Sequence, residues 1–205
     1  MDRLPPFDEL SNLRDELEQD FAGGIEQRRK RKPFIIDEIL EMLIIAYMFG
    51  NETANTMLYG PTEGEDGEIV RTVPIDTSEM NETVFRRIAG KNWRERVEEY
   101  VETESGTVDD ILRVVDTDMN RIYNDAILDV GERAEDEQSG KSVMKTWETM
   151  QDDRVRDTHD YLQSMTVPVN RRFYTFDGDS ARYPGDFTDP QNNVNCRCRI
   201  SLSMA

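Results

Sequence analysis

Between residues 107 and 138 apolar side chains recur every three or four positions: Ile111, Leu112, Val115, Met119, Ile122, Tyr123, Ala126, Ile127 and Val130. A stripe of that length at helical spacing requires one long amphipathic helix. It also requires other elements to cover the buried face, so the chain must build a helical core around this segment. Thr107 or Asp109 is placed to cap its start, and Gly106 to end the segment before it.

The cover comes from the preceding sequence. Phe7, Leu10, Leu13, Leu17 and Phe21 predict a helical stretch over 7–32, kinked or broken at Gly23–Gly24, and Pro33 separates it from a second helix over 34–58. That second helix is apolar on nearly all sides from Ile39 to Phe49. Residues 59–76 read as a loop in which "EIVRTVP" forms a short strand. A helical block then resumes, capped by Thr77 or Ser78, and carries Trp93, Val97, Tyr100 and Val101 on one face.

From Lys141 the texture changes. "DDRVRDTHDYLQSM" predicts a short helix, "VPVNRRFYTF" a strand or hairpin arm, and "VNCRCRISLS" alternates like a final strand. The expected class is α+β: a mainly helical region over 1–140, offering partner-binding helices, then a small α+β domain over 141–205 with a short antiparallel sheet.

Charge narrows the partners. The 205 residues carry 43 acidic against 25 basic side chains, a formal net charge of −18, and the acid is spread along the whole chain. Such a surface repels nucleic acid in general, so any DNA contact must be local. One basic cluster is dense enough, "RRKRK", comprising Arg28, Arg29, Lys30, Arg31 and Lys32. It is a candidate contact for DNA or an acidic partner, or else a complement to a helix C-terminus. Dense carboxylates with few lysines resemble proteins that work near salt saturation, where the Debye length falls to roughly 3 Å, so a halophilic source is expected. The most apolar run, "ILEMLIIAYMF", is too short and too flanked by charge to span a membrane. No secretory signal is visible, and a disulfide framework is not expected.

The last third carries an ordered set of motifs: Trp147; Asp152 and Asp153, Arg154, Val155, Arg156 and His159; Phe173 and Phe176; Tyr183, Pro184, Gly185 and Asp186; Asn195, Cys196, Arg197 and Cys198. In this order the set resembles the Mu F-like minor head proteins, or head morphogenesis proteins, of tailed phages, over roughly the last 60 residues. One departure stands out: many members carry a Gly in the turn after the His, where this chain reads "DYLQSMTVPV". The resemblance implies a virion component of low copy number in the capsid interior near the portal, made in the host cytoplasm. It would act in head assembly, DNA packaging or genome delivery, with portal or other capsid proteins as partners. No catalytic activity, cofactor or membrane contact is expected.

The residues themselves leave other chemistry open. Asp153, Arg156 and His159 are spaced three apart, which on a helix puts them on one face; Arg154 lies elsewhere and would reach an acidic neighbour in another element. "YPGD" fits a type II turn with Asp186 bracing the loop. A small nuclease or thiol hydrolase could use His159 with Asp153 or Cys196. His159, Cys196 and Cys198 could instead bind zinc in a metal-stabilised interaction module. The plainest reading is two small thiols buried on the inner face of the last strand.

Overall fold

The computed structural model describes residues 7–60, 72–137 and 142–205. Helices α1 (Phe7–Ala22) and α2 (Gly24–Tyr59) meet at Gly23, where Gly24 takes φ +78°, a conformation that L side chains rarely adopt. Leu13 and Leu17 of the α1 stripe are buried, and the side chains of Phe7 and Leu10 fall outside the described residues. The expected break at Pro33 does not occur, because Pro33 lies inside α2. An interior proline costs about 3 kcal/mol, but Ile35, Ile36 and Ile39 follow it directly into the core, and their burial offsets that cost.

Of the expected strand at "EIVRTVP", residues 68–71 lie outside the described residues, and 72–76 belong to neither a helix nor a strand. Val73 is pinned instead by Asn55, whose amide donates to the Val73 carbonyl at 3.1 Å and accepts from its N–H at 2.6 Å. The next helix, α3 (Thr77–Val84), is capped by Asp76, which accepts from the Ser78 and Glu79 amides; Thr77 and Ser78 are already its first residues. The helical block is also not continuous. A turn separates α3 from α4 (Trp93–Glu102), which opens with a reciprocal capping box between Asn92 and Glu95. Thr107 and Asp110 make the same exchange at the start of α5 (Val108–Glu137).

The stripe of α5 is buried along its whole length. Its main partner is α2, and the two backbones approach closely at Gly50, where a β-carbon would stand 2.4 Å from the Tyr123 carbonyl oxygen and 2.9 Å from Ala126 Cβ. Gly50→Ala must therefore push the two longest helices apart. We expect a loss of about 1–3 kcal/mol, measured as a lowered urea midpoint at unchanged slope.

Beyond residue 141 a three-stranded antiparallel sheet forms in the order β2 (Thr166–Pro168), β1 (Val143–Glu148), β5 (Arg199–Met204). A hairpin of β3 (Phe173–Tyr174) and β4 (Ser180–Ala181) and two single-turn helices, α6 (Asp157–Asp160) and α7 (Pro190–Asn193), complete it. Val143, Lys145 and Trp147 of β1 point inward, and Lys145 and Trp147 pair with Leu202 and Ile200. The class is α+β as expected. The core, however, does not divide at 140: Ala54 of α2 and Tyr123, Ile127, Val130 and Ala134 of α5 pack in one cluster with Trp147, Leu162, Phe173, Tyr183 and Ile200. The remaining helical residues form a second cluster around Trp93, and α5 runs through both.

Candidate functional site

The motif residues gather where the C-terminal segment lies across α5. Pro184 and Gly185 make the expected tight turn, closed by the Asp186 amide donating to the Tyr183 carbonyl at 3.1 Å, with Gly185 at φ +99°. Gly185 also rests on α5, where a β-carbon would come within 2.9 Å of Arg121 Cβ. Both the backbone angle and the space therefore call for glycine. Asp186 braces the loop: it accepts from the Arg182 amide at 3.0 Å and from the Arg86 guanidinium, and pairs with Arg172 at 3.3 Å.

Arg86 also donates to the Tyr183 hydroxyl, which is fully buried beside Asp125. Burial raises the Asp125 carboxyl above its ordinary range, opposed by Arg121, Tyr183, Arg86 and Thr83. Farther along, Asp118 of α5 is wholly buried; it accepts from Arg121 through Nε (3.1 Å) and Nη2 (3.0 Å), and from Arg96 of α4.

The closing segment is held by α5 through side-chain amides. Asn124 accepts from the Ile200 amide at 2.9 Å and donates to the Cys198 carbonyl at 3.2 Å, and Asn120 donates to the same carbonyl at 3.3 Å. Cys196 and Cys198 precede β5 rather than lying in it, since pairing begins at Arg199. Asn195, at φ +54°, starts the approach and donates its amide to Thr117. Both thiols are buried, as expected, and both face the one histidine: Nδ1 of His159 stands 3.6 Å from Cys196 Sγ and 3.5 Å from Cys198 Sγ. The three ligand-type atoms lie within 4.8 Å of one another. Phe187 stacks on the imidazole, and Trp147 meets its edge. A hydrogen bond from Cys198, reinforced by His159, holds the Cys196 thiol well below the ordinary range, while the same bond and burial push Cys198 up.

A family model described as Phage Mu protein F like protein matches residues 79–201. The chain belongs to this family. The match covers more than half the sequence and reaches back through α4 and α5, well beyond the last 60 residues that carried the visible motifs. No curated protein and no solved structure matches the chain.

Several expectations about the Mu F-like motif residues need correction. Residues 152–156 form turns, and α6 begins only at Asp157, so Asp153, Arg156 and His159 do not share a helix face. Arg156 sits at the N-cap position and donates to the Val194 carbonyl at 2.6 Å. Asp153 is exposed. The engaged acid is its neighbour Asp152, which takes a bidentate pair from Arg197 that holds its carboxyl down at about 2. Arg154 is exposed, and its ion pair is with Asp152 of the same turn at 4.0 Å. After His159 the chain turns at Ser164, which takes φ +62° and donates its amide to the Trp147 carbonyl at 2.8 Å.

The basic cluster sits in the first turns of α2, away from that helix's C-terminal end. Arg28 is buried and donates to the Thr103 and Gly106 carbonyls, so it closes the end of α4. Arg29 pairs with Glu26, Arg31 with Asp20 and Glu16, and Lys32 with Glu102, whereas Lys30 is exposed.

Sequence reasoning missed Arg86, Asp118, Arg121, Asn124 and Lys145. Lys145, fully buried on β1 with no hydrogen-bond partner for Nζ among the described residues, stands over the Phe173 ring at 5.4 Å. Burial, with Arg182 and Arg172 nearby, lowers its ammonium from 10.5 to about 8, against the pull of Glu132 and Asp186. The unfolded chain keeps this proton to higher pH, so the penalty is full below pH 8 and fades as pH rises toward 10.5. We expect Lys145→Met to gain up to about 3 kcal/mol at pH 7 and little at pH 10. Parallel urea titrations of both proteins at the two pH values read this difference.

Proposed function

We propose that the chain is a minor head protein of a tailed virus, sited inside the capsid near the portal and acting in assembly, DNA packaging or genome delivery. The match to the Mu F-like family over residues 79–201 carries this reading. Portal or other capsid proteins are its partners. With four cations of the basic cluster held by internal contacts, a DNA contact there centres on the exposed Lys30. Among the described residues no helix is long and apolar enough to cross a membrane.

The role is structural, not catalytic. A thiol hydrolase has the Cys196–His159 distance in its favour, but the two residues are only 3% and 1% exposed and border only a narrow cleft, which speaks against a substrate of any size. The acids of a nuclease, Asp153 and its neighbours, line a separate acidic cleft with Asp157 and Asp160 that does not include His159. Deleting the gene from the virus tests the role: unfilled, misassembled or non-infectious heads are expected, and filled infectious heads would contradict it. Retained DNA cleavage by the purified protein, lost in His159→Ala with the fold intact, would favour the nuclease.

The host is a halophile, as the net charge of −18 suggests. The protein should then unfold in dilute buffer and regain stability in molar potassium chloride. Full stability in low salt would remove this part of the proposal.

A further inference from the structure

We propose that His159, Cys196 and Cys198 bind a zinc ion through Nδ1 and the two sulfurs, as a structural tie within the scaffold. A tetrahedral zinc with Zn–S of about 2.3 Å and Zn–N of about 2.0–2.1 Å sets nitrogen and sulfur roughly 3.6 Å apart. The two observed separations are 3.5 and 3.6 Å, both from the same nitrogen. One Nδ1 lone pair accepts one S–H, so a purely hydrogen-bonded site has no reason to hold both sulfurs equally close to it. A shared metal does. The residue types fit as well: imidazole and thiolate are the ligands zinc prefers. Binding releases both thiol protons to solvent, and Zn²⁺ with two thiolates and a neutral imidazole carries no net charge, which suits a buried position.

The ligands border a narrow cleft lined by Met150, Arg156 and Asn195. A water in that cleft completes the coordination. Nε2 of His159 is buried and makes no hydrogen bond among the described residues; the ring is oriented instead by Phe187 and Trp147. The ion would join α6 to the approach of β5, segments 37 and 39 residues apart at the ligands. It would lie against Trp147 at the centre of a C-terminal unit too small to build a large core alone.

The test uses the full-length protein purified without chelator. We expect zinc equimolar with the chain, and after exchange with cobalt, thiolate-to-cobalt charge transfer together with intense d–d bands of a four-coordinate site. Chelator should lower the melting midpoint, and zinc should restore it. Cys196→Ser, Cys198→Ser and His159→Gln should each abolish the cobalt bands. If a variant fails to fold, the wild type decides: its two thiols should react slowly with a thiol reagent until chelator is added. Folded wild-type protein that takes up neither zinc nor cobalt, or cobalt bands that survive either Cys→Ser change, would overturn the proposal.

Discussion

Trp147→Ala is expected to cost about 3–5 kcal/mol, the largest effect of any single truncation in the C-terminal half. The side chain is fully buried at the middle strand of the sheet. It meets Phe173 at 5.2 Å, Phe187 at 5.6 Å and His159 at 5.7 Å between ring centroids, all in edge-on or tilted arrangements. These neighbours come from three separate segments joined by turns, so truncation leaves a cavity that they cannot close by small shifts. The loss should not stay local. The chain's other tryptophan, Trp93, sits in the helical cluster, and α5 passes through both clusters. Trp93 fluorescence in the variant should therefore report a lowered unfolding midpoint that coincides with the loss of helix by circular dichroism. A Trp93 transition left where it stands in the wild type would show that the two clusters unfold independently.

Asp118→Ala is the second large effect, again about 3–5 kcal/mol. The carboxylate is 0% exposed and neutralises Arg121, itself 1% exposed, along with Arg96. Removing it leaves a buried guanidinium whose remaining hydrogen bond among the described residues is to the Thr83 carbonyl at 3.0 Å, with the Asp125 carboxyl as the other nearby charge. Replacing both partners with apolar residues, as in Asp118→Leu with Arg121→Met, should recover much of the loss, because the desolvation cost of two charges disappears with them. Denaturant titration of the single and double variants measures the coupling. Equal losses in both would mean that packing, not charge, dominates at this site.

Much of the helical half is legible in the sequence because its signals are local. The stripe from Ile111 to Val130 recurs at helical spacing, and Thr107 caps it with an ordinary side-chain exchange. Pro33 misleads because its cost is met by burial of Ile35 and Ile39 against elements distant in sequence, which no local rule reveals. Strand β1 is hidden by Lys145, a charged residue at an inward position of a central strand. "DDRVRDTHDYL" mimics a helix by spacing, yet Asp152 is drawn to Arg197 and Arg156 to the Val194 carbonyl, and these long-range bonds hold the segment in turns. The cysteines and the histidine stand out by rarity alone. Their convergence depends on how Asn120 and Asn124 hold the approach to β5, and nothing in either asparagine's sequence surroundings marks that role.

The most direct test of a structural role in the head is the composition of purified particles. Quantitative mass spectrometry of DNA-filled heads, separated from infected-cell lysate on a density gradient, should find the protein in every filled fraction, at far fewer copies than the major capsid protein. Density attributable to it should lie on the inner side, near the portal. Abundant protein in the lysate but none in filled or assembling heads would contradict a head component and return attention to a chemical role for His159 and its two thiols.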